Sequence, residues 1–282
     1  MRKTVLILTI LCLAVALFAA GCTPATPQAS EEPEETQAAD TSWEDIKAKG
    51  YFILGLDDAF PPMGYRDEET NEIVGFDIDL AKEAAKRMGI EVKLQPVVWE
   101  TVTQELNKGT IDVIWNGCTI TEERLEVIDF TKPYMNNKQI VAVKKDSPYQ
   151  TFEDLAGKKM AIQEGSSAKK ALDANKEFKD SLKEVVPFGD NTKAFLDLDS
   201  DRVDCVAVDI VVFNYYIAKG TDKYRMLDTA LGDEQYGIGV RKDDDAFQAE
   251  LQKALDEIYA DGTAAEISKE WFGNDIVSDV NQ

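Results

Sequence analysis

Histidine is absent from all 282 residues of this chain. That removes Ser-His and Cys-His nucleophile pairs, and with them the commonest hydrolytic machinery. Cysteine is scarce as well: four residues, Cys12, Cys22, Cys118 and Cys205, with no Cys-x-x-Cys spacing. Without histidine or paired cysteines, zinc and most redox-metal sites lack their ligands, and neither a metal nor a cofactor is expected. Cys118 and Cys205 sit in apolar, strand-like settings and read as buried free thiols, although spacing alone leaves a disulfide open. Basic residues are outnumbered, 31 Lys and Arg against 53 Asp and Glu, for a formal net charge of −22. Such a chain displaces no counterions from phosphate, so no nucleic-acid partner is expected, and the overall field disfavours a strongly anionic ligand.

Long apolar runs are also lacking, apart from Val5 to Ala20 behind Arg2 and Lys3. That run is too short for a stable span, and small residues follow it at Ala19-Ala20-Gly21 before Cys22. A basic start, an apolar stretch and small residues before a cysteine resemble the bacterial lipoprotein signal, although Ala19 stands where Leu is commoner. The resemblance implies a signal peptide over 1–21, lipidation at Cys22 and an anchor in the membrane. The other reading is an ordinary cleaved signal with an incidental cysteine. Residues 22–42 are rich in Pro, Thr, Ser and Glu and carry no large apolar residue, the composition of a flexible tether.

The remainder is long enough for two lobes, each with its own core. Tyr51 to Gly55 reads as a strand, Gly75 to about Met88 as a helix stopped by Gly89, Glu91 to Leu94 as a strand, Thr101 to Lys108 as a helix and Ile111 to Trp115 as a strand. A second series follows from Gln139, with helix at Phe152 to Leu155, strands at Lys159 to Gln163, Val185-Val186 and Asp204 to Val208, and helix at Thr192 to Asp199. Helices Ala246 to Asp261 and Ala264 to Phe272 finish it. Strands alternating with helices predict parallel sheets flanked by helices, that is, two similar α/β halves.

Each half holds a strand-to-helix turn of small, hydroxylated residues. In the first, Asn116-Gly117-Cys118-Thr119 leads to Thr121, a helix N-cap, with Arg124 on the first turn. Free backbone N–H groups, a hydroxyl and a planar guanidinium fork make a carboxylate receptor. The competing reading is a capped helix whose Arg124 pairs with Glu122 or Asp129. In the second half, Gly165-Ser166-Ser167 opens a helix, and Asp209 ends a buried strand. An acid there is costly unless paired, which predicts a partner cation, unless Asp209 only caps the next helix. Two acidic segments need no ligand: Asp197-x-Asp199-x-Asp201 has the opening of a calcium loop but Arg202 where glycine is required, and Asp243-Asp244-Asp245 reads as a solvated loop and N-cap.

Taken with Asp57-Asp58-Ala59-Phe60-Pro61-Pro62-Met63, Gly75-Phe76-Asp77-Ile78-Asp79-Leu80-Ala81, Ile128-Asp129-Phe130-Thr131, Gln235-Tyr236-Gly237-Ile238-Gly239 and Trp271-Phe272-Gly273, these segments resemble the bacterial family 3 extracytoplasmic solute-binding proteins, the amino-acid receptors of polar amino acid ABC importers. The likeness runs from about Trp43 to Gly273. It implies an α/β, type II periplasmic-binding-protein fold: two lobes, each a sheet flanked by helices, joined by a two-strand hinge. Lobe 1 would be 43–137 plus 232–282 and lobe 2 would be 138–231. It further implies Arg124 on the ligand α-carboxylate, with Thr119, Ser166 and Ser167 assisting. Asp209 would take the α-ammonium, with Thr119 and Gly117; Asn116 lies in the same turn. Phe60 and Trp99 would wall the side chain, and Asp57 and Gln163 would meet its tip. Phe60 can also be read as a structural aromatic beside Pro61-Pro62, and Trp99 as a cap on the core.

The implied function is capture of a free amino acid by hinge closure and delivery to membrane permease subunits, by a monomer that makes no bond. Asp57 between aromatic walls favours glutamine or a basic amino acid. The alternatives on this scaffold are a dehydratase of cyclohexadienyl acids, or a ligand-sensing domain, which would need a downstream segment beyond the last helix.

Overall fold

The computed structural model describes residues 39–220, 222–277 and 280; the segment expected to hold the signal, Cys22 and most of the tether lies outside them. No helix among the described residues is long and apolar enough to cross a membrane. Residues 39–282 form a compact unit, built around two sheets.

The first sheet begins with β1 (Tyr51–Leu56), after a helix Ser42–Lys49. A small antiparallel sheet follows, β2 (Ala59–Phe60), β3 (Gly64–Arg66) and β4 (Ile73–Val74). The helix Phe76–Met88 then buries Phe76, Ile78, Leu80, Ala81, Ala84 and Ala85 along one face and ends at a left-handed Gly89. It leads to β5 (Glu91–Pro96), which pairs in parallel with β1 through all six residues. A helix Val102–Asn107, β6 (Val113–Ile114), a short helix Glu122–Val127 and β7 (Ile128–Phe130) complete this half. The regular part of Ile111 to Trp115 is shorter than its apolar pattern predicts, but Asp112 and Trp115 still donate to the Ile53 and Gly55 carbonyls.

The chain then crosses on β8 (Met135–Lys144), the longest strand, and builds the second sheet. Its other members are β9 (Lys159–Gln163), β10 (Glu184–Phe188), β11 (Cys205–Asp209), β12 (Tyr224–Met226) and β13 (Gly232–Tyr236). β10, β9 and β11 run parallel, while β8 is antiparallel to β11, β12 and β13. β14 (Gly239–Arg241) returns to the first sheet between β6 and β7, giving the order β5-β1-β6-β14-β7. The two sheets are thus joined by β8 going out and β13 coming back, which pair with each other from Met135 to Tyr236.

Alternate residues of β8 serve opposite faces: Ile140 and Ala142 join one apolar cluster, Val141 and Val143 another. The helix Asp245–Ala260 packs on the first half, burying Phe247, Leu251, Leu255 and Ile258, and the helix Thr263–Phe272 covers its end. Several elements depart from expectation. Phe152 to Leu155 is one 3₁₀ turn, Glu153–Leu155. The helix Lys176–Ser181 and the small sheet are additions, and the helix after Asp209 runs Ile210–Ala218. Ile210–Ala218 is apolar almost throughout, so no helical period stands out from its sequence. Cys118 and Cys205 are free and buried, with burial raising both thiols. The acids of the calcium-like spacing hold cations of the protein instead: Asp197 pairs with Arg202, Asp199 with Lys223 and Asp201 with Lys144. Asp244 occupies the N-cap position, but its side chain pairs with Arg241 at 2.8 Å rather than capping the helix.

Candidate functional site

The turn after β6 is held from behind. Gly117 has φ of 63°, and a Cβ there would stand 2.7 Å from the Phe60 ring. Its N–H donates to Asp77 Oδ2 at 2.8 Å, and the Tyr134 hydroxyl donates to the same oxygen at 2.9 Å. Asn116 lies one layer behind the cavity, where its Oδ1 accepts from the Asp57 N–H at 3.1 Å.

Thr121 caps the short helix by accepting from the Arg124 N–H at 3.2 Å. The Arg124 side chain lies back over the turn rather than on Glu122 or Asp129; Asp129 is met by Lys242 instead. Arg124 Nη1 donates to the Thr119 carbonyl at 2.8 Å and Nη2 to the Gly165 carbonyl at 3.3 Å. Its guanidinium carbon lies 5.7 Å from the Trp99 ring centroid. A guanidinium held only by neutral carbonyls and an aromatic face keeps its full charge for an anion.

Ser166 is the N-cap residue of the helix Ser167–Ala174, but its hydroxyl donates back to the Gln163 carbonyl at 2.8 Å. Ser167 Oγ lies 3.0 Å from Thr119 Oγ1, joining the two halves. Gln163 makes a second bridge, donating from Nε2 to Asp57 Oδ2 at 2.6 Å while its Oε1 accepts from Asn191 Nδ2 at 3.1 Å. Burial pushes the Asp57 carboxyl up to about 6, against lowering hydrogen bonds from Ala59 and Gln163.

Asp209 differs from expectation. It stands at the N-cap position of the helix Ile210–Ala218 without capping it, and among the described residues no Lys or Arg pairs with it. Its Oδ1 instead accepts from Asn137 Nδ2 at 2.7 Å, Gln139 Nε2 at 2.7 Å and the Tyr236 hydroxyl at 2.6 Å. Burial, then the neighbouring Glu234 carboxylate, push its carboxyl well above the usual carboxylate range.

Phe60, Trp99, Gly117, Thr119, Arg124, Gln163, Ser166, Ser167 and Asp209 line one enclosed cavity between the halves, of about 10 Å³. That is the room of a single water, so the facing groups satisfy one another here. Asp57 borders this cavity through Gln163, and Asn116 stands behind it. Asn137, Gln139, Glu234 and Tyr236 escaped the sequence reading. Their signal is the two-residue spacing 137/139 and 234/236, which places each pair on one face of its strand.

Residues 52–274 match the model of the bacterial extracellular solute-binding proteins, family 3. The chain is 35% identical over 225 residues to ABC transporter arginine-binding protein 1 of Escherichia coli, covering 78% of this chain and 89% of that one. It is 32% identical over 281 residues to the ABC transporter glutamine-binding protein GlnH of Bacillus subtilis, covering 98% and 99%. Among solved structures, an ABC uptake transporter substrate-binding protein of Streptococcus pneumoniae with bound histidine superposes with a TM-score of 0.82 at 36% identity, over 86% of this chain and all of that one. The fold is the two-lobed type II periplasmic-binding fold. The chain belongs to the bacterial extracellular solute-binding proteins of family 3.

Proposed function

We propose that this protein captures a polar amino acid outside the cytoplasm and presents it, closed between its lobes, to an ABC importer. One observation carries the reading: one cavity is lined at one side by a guanidinium and at the other by a buried acid, and among the described residues the first has no acidic partner and the second no Lys or Arg. An α-amino acid supplies the two missing charges on one carbon. Arg124 takes the carboxylate with the backbone of Thr119 and of Ser166 or Ser167, and Asp209 takes the ammonium with the Thr119 hydroxyl and the Gly117 carbonyl. Phe60 and Trp99 wall the side chain, and Asp57 with Gln163 meets its tip.

Lobe 1 is assigned to 43–137 with 232–282 and lobe 2 to 138–231, and they close about β8 and β13. Bridges from Gln163 to Asp57 and from Arg124 to Gly165 seal the cleft and exclude water. The tip favours glutamine or a basic amino acid, because Asp57 accepts from amides and attracts cations, and it repels a ligand carboxylate. An exported, monomeric protein anchored through lipid on Cys22 completes the reading, with no chemical step of its own.

Thermal unfolding of protein refolded from denaturant, against the twenty amino acids and cystine, tests it. A true ligand at a hundredfold excess over its Kd raises stability by about 2.7 kcal/mol. No response from any α-amino acid refutes the assignment. The dehydratase reading keeps one support, since protonated Asp209 could serve as a general acid. Loss of prephenate on incubation would favour it.

A further inference from the structure

Glu234 is a carboxylate that the pairing of one cation with one acid does not require. It extends from β13, and its Oε1 lies 2.6 Å from Asn137 Nδ2, 2.9 Å from Gln139 Nε2, 3.0 Å from Thr119 Oγ1 and 3.3 Å from Ser167 Oγ. The same two amides donate to Asp209 Oδ1. Strand register explains the sharing: Asp209 stands opposite Gln139 across β11 and β8, and Glu234 stands opposite Asn137 across β8 and β13. The amides of the middle strand therefore lie between two acids. All four residues belong to one sheet, where β8 and β13 pass between the halves.

Asp209 is buried and Glu234 half-buried, and with no protein cation beside them the charge on one opposes the charge on the other around the same two amides. Among the described residues no Lys or Arg lies within ion-pair distance of either. The other groups facing the pair are the Tyr236 hydroxyl from β13, the Cys118 thiol behind Thr119, and Arg124 elsewhere on the cavity wall. On β8 and β13 themselves, Lys138 pairs with Asp233 at 3.0 Å, both exposed to solvent.

Resting on the amino-acid reading above, we propose that Glu234 is a second anionic ligand of the α-ammonium, and that it and Asp209 share one proton which the entering ammonium displaces. The balance is simple. A zwitterionic amino acid meets a singly protonated acid pair; the complex holds the ammonium between two carboxylates, and one proton goes to solvent. The ammonium has three N–H donors, enough for both acids and Thr119 Oγ1. Selection then favours a full ammonium over the deaminated analogue, and binding weakens by about tenfold per pH unit below the ionisation of the pair.

Two measurements on the protein test this. The first needs no ligand: carboxyl ¹³C NMR of the free protein, titrated with pH. Beside the raised carboxyls of Asp57 and Asp77, wild type should show a further carboxyl, assigned to Asp209 by its loss in Asp209→Asn, titrating well above the ordinary carboxylate range, and Glu234→Gln should lower that midpoint. Absence of a high midpoint at Asp209, or its persistence unchanged in Glu234→Gln, overturns the shared proton.

The second is calorimetry with L-arginine and L-glutamine, or with whichever amino acid responds in the thermal screen, in buffers of different ionisation enthalpy. Wild type should release about one proton per ligand at neutral pH, and Glu234→Gln much less, with a flatter affinity profile. Binding with buffer-independent heat overturns the proposal and leaves the amino-acid reading intact. If no amino acid binds at all, that reading falls, and the role of Glu234 with it.

Discussion

Replacing Asp77 by Asn should stabilise the ligand-free protein at alkaline pH and flatten its dependence on pH. Asp77 lies in the first turn of the helix Phe76–Met88 and is fully buried. Its Oδ2 serves the Gly117 N–H and the Tyr134 hydroxyl, while Oδ1 has no hydrogen-bond partner. The Trp115 indole is near enough to favour the charged form slightly, yet its N–H completes no hydrogen bond. Burial outweighs these donors and pushes Asp77 up to about 7. Unfolded, the group ionises near its ordinary value, so between the two values the folded state keeps a proton that the unfolded state has lost. Stability is therefore lost as pH rises, until the folded value is passed. From about pH 5 to about pH 8 this one group costs roughly 2–3 kcal/mol. Asn keeps an acceptor for both donors and never ionises. Urea unfolding of both proteins across that range should give similar values at the acid end and a variant more stable by about 2 kcal/mol at the alkaline end. Parallel curves would refute the reasoning.

Arg124→Lys replaces a fork by a point charge and should weaken amino-acid binding by roughly a hundredfold, about 2–3 kcal/mol, with little change in the stability of the free protein. Calorimetry decides, and a loss under about threefold would remove Arg124 as the clamp. Gly165→Ala should hinder closure, because Gly165 has φ of 71° and a Cβ there would stand 2.6 Å from the Glu100 Cα. Small-angle scattering should then find the ligand-saturated variant more extended than wild type; identical profiles would show that this contact does not limit closure. Asp112→Ala should cost about 2–4 kcal/mol in urea unfolding. Asp112 is buried and receives Lys49, Arg241 and the Ile53 N–H; a loss below about 1 kcal/mol would mean that those partners find water readily.

Local signals carried much of this architecture. Helical spacing and a terminal glycine marked Phe76–Met88, and Thr121 and Ser166 marked the two turns that face each other in the cavity. What stayed hidden depends on pairings distant in sequence. Asn137 and Gln139 look like the outer face of an edge strand until β11 and β13 are placed on either side of β8. The cation expected at Asp209 followed soundly from burial, but only strand register brings the Glu234 carboxylate beside it. For Arg124, spacing allows Glu122 and Asp129 equally; the carbonyls of Thr119 and Gly165 take the guanidinium instead.

β8 and β13 are at once the passage between the halves and the backbone that carries Asn137, Gln139 and Glu234. The positions of this site therefore differ in mechanical freedom. Phe60 and Trp99 sit on elements of the first half, and Gln163 at the end of β9, so their replacement reshapes the pocket without touching the connecting ladder. On the proposed reading, changes at 137, 139 or 234 alter the stiffness of the joint between the lobes along with the chemistry at its centre. Redesign of side-chain preference then has the first group to work with, whereas redesign of the proposed ammonium end re-tunes how fast and how far the lobes open.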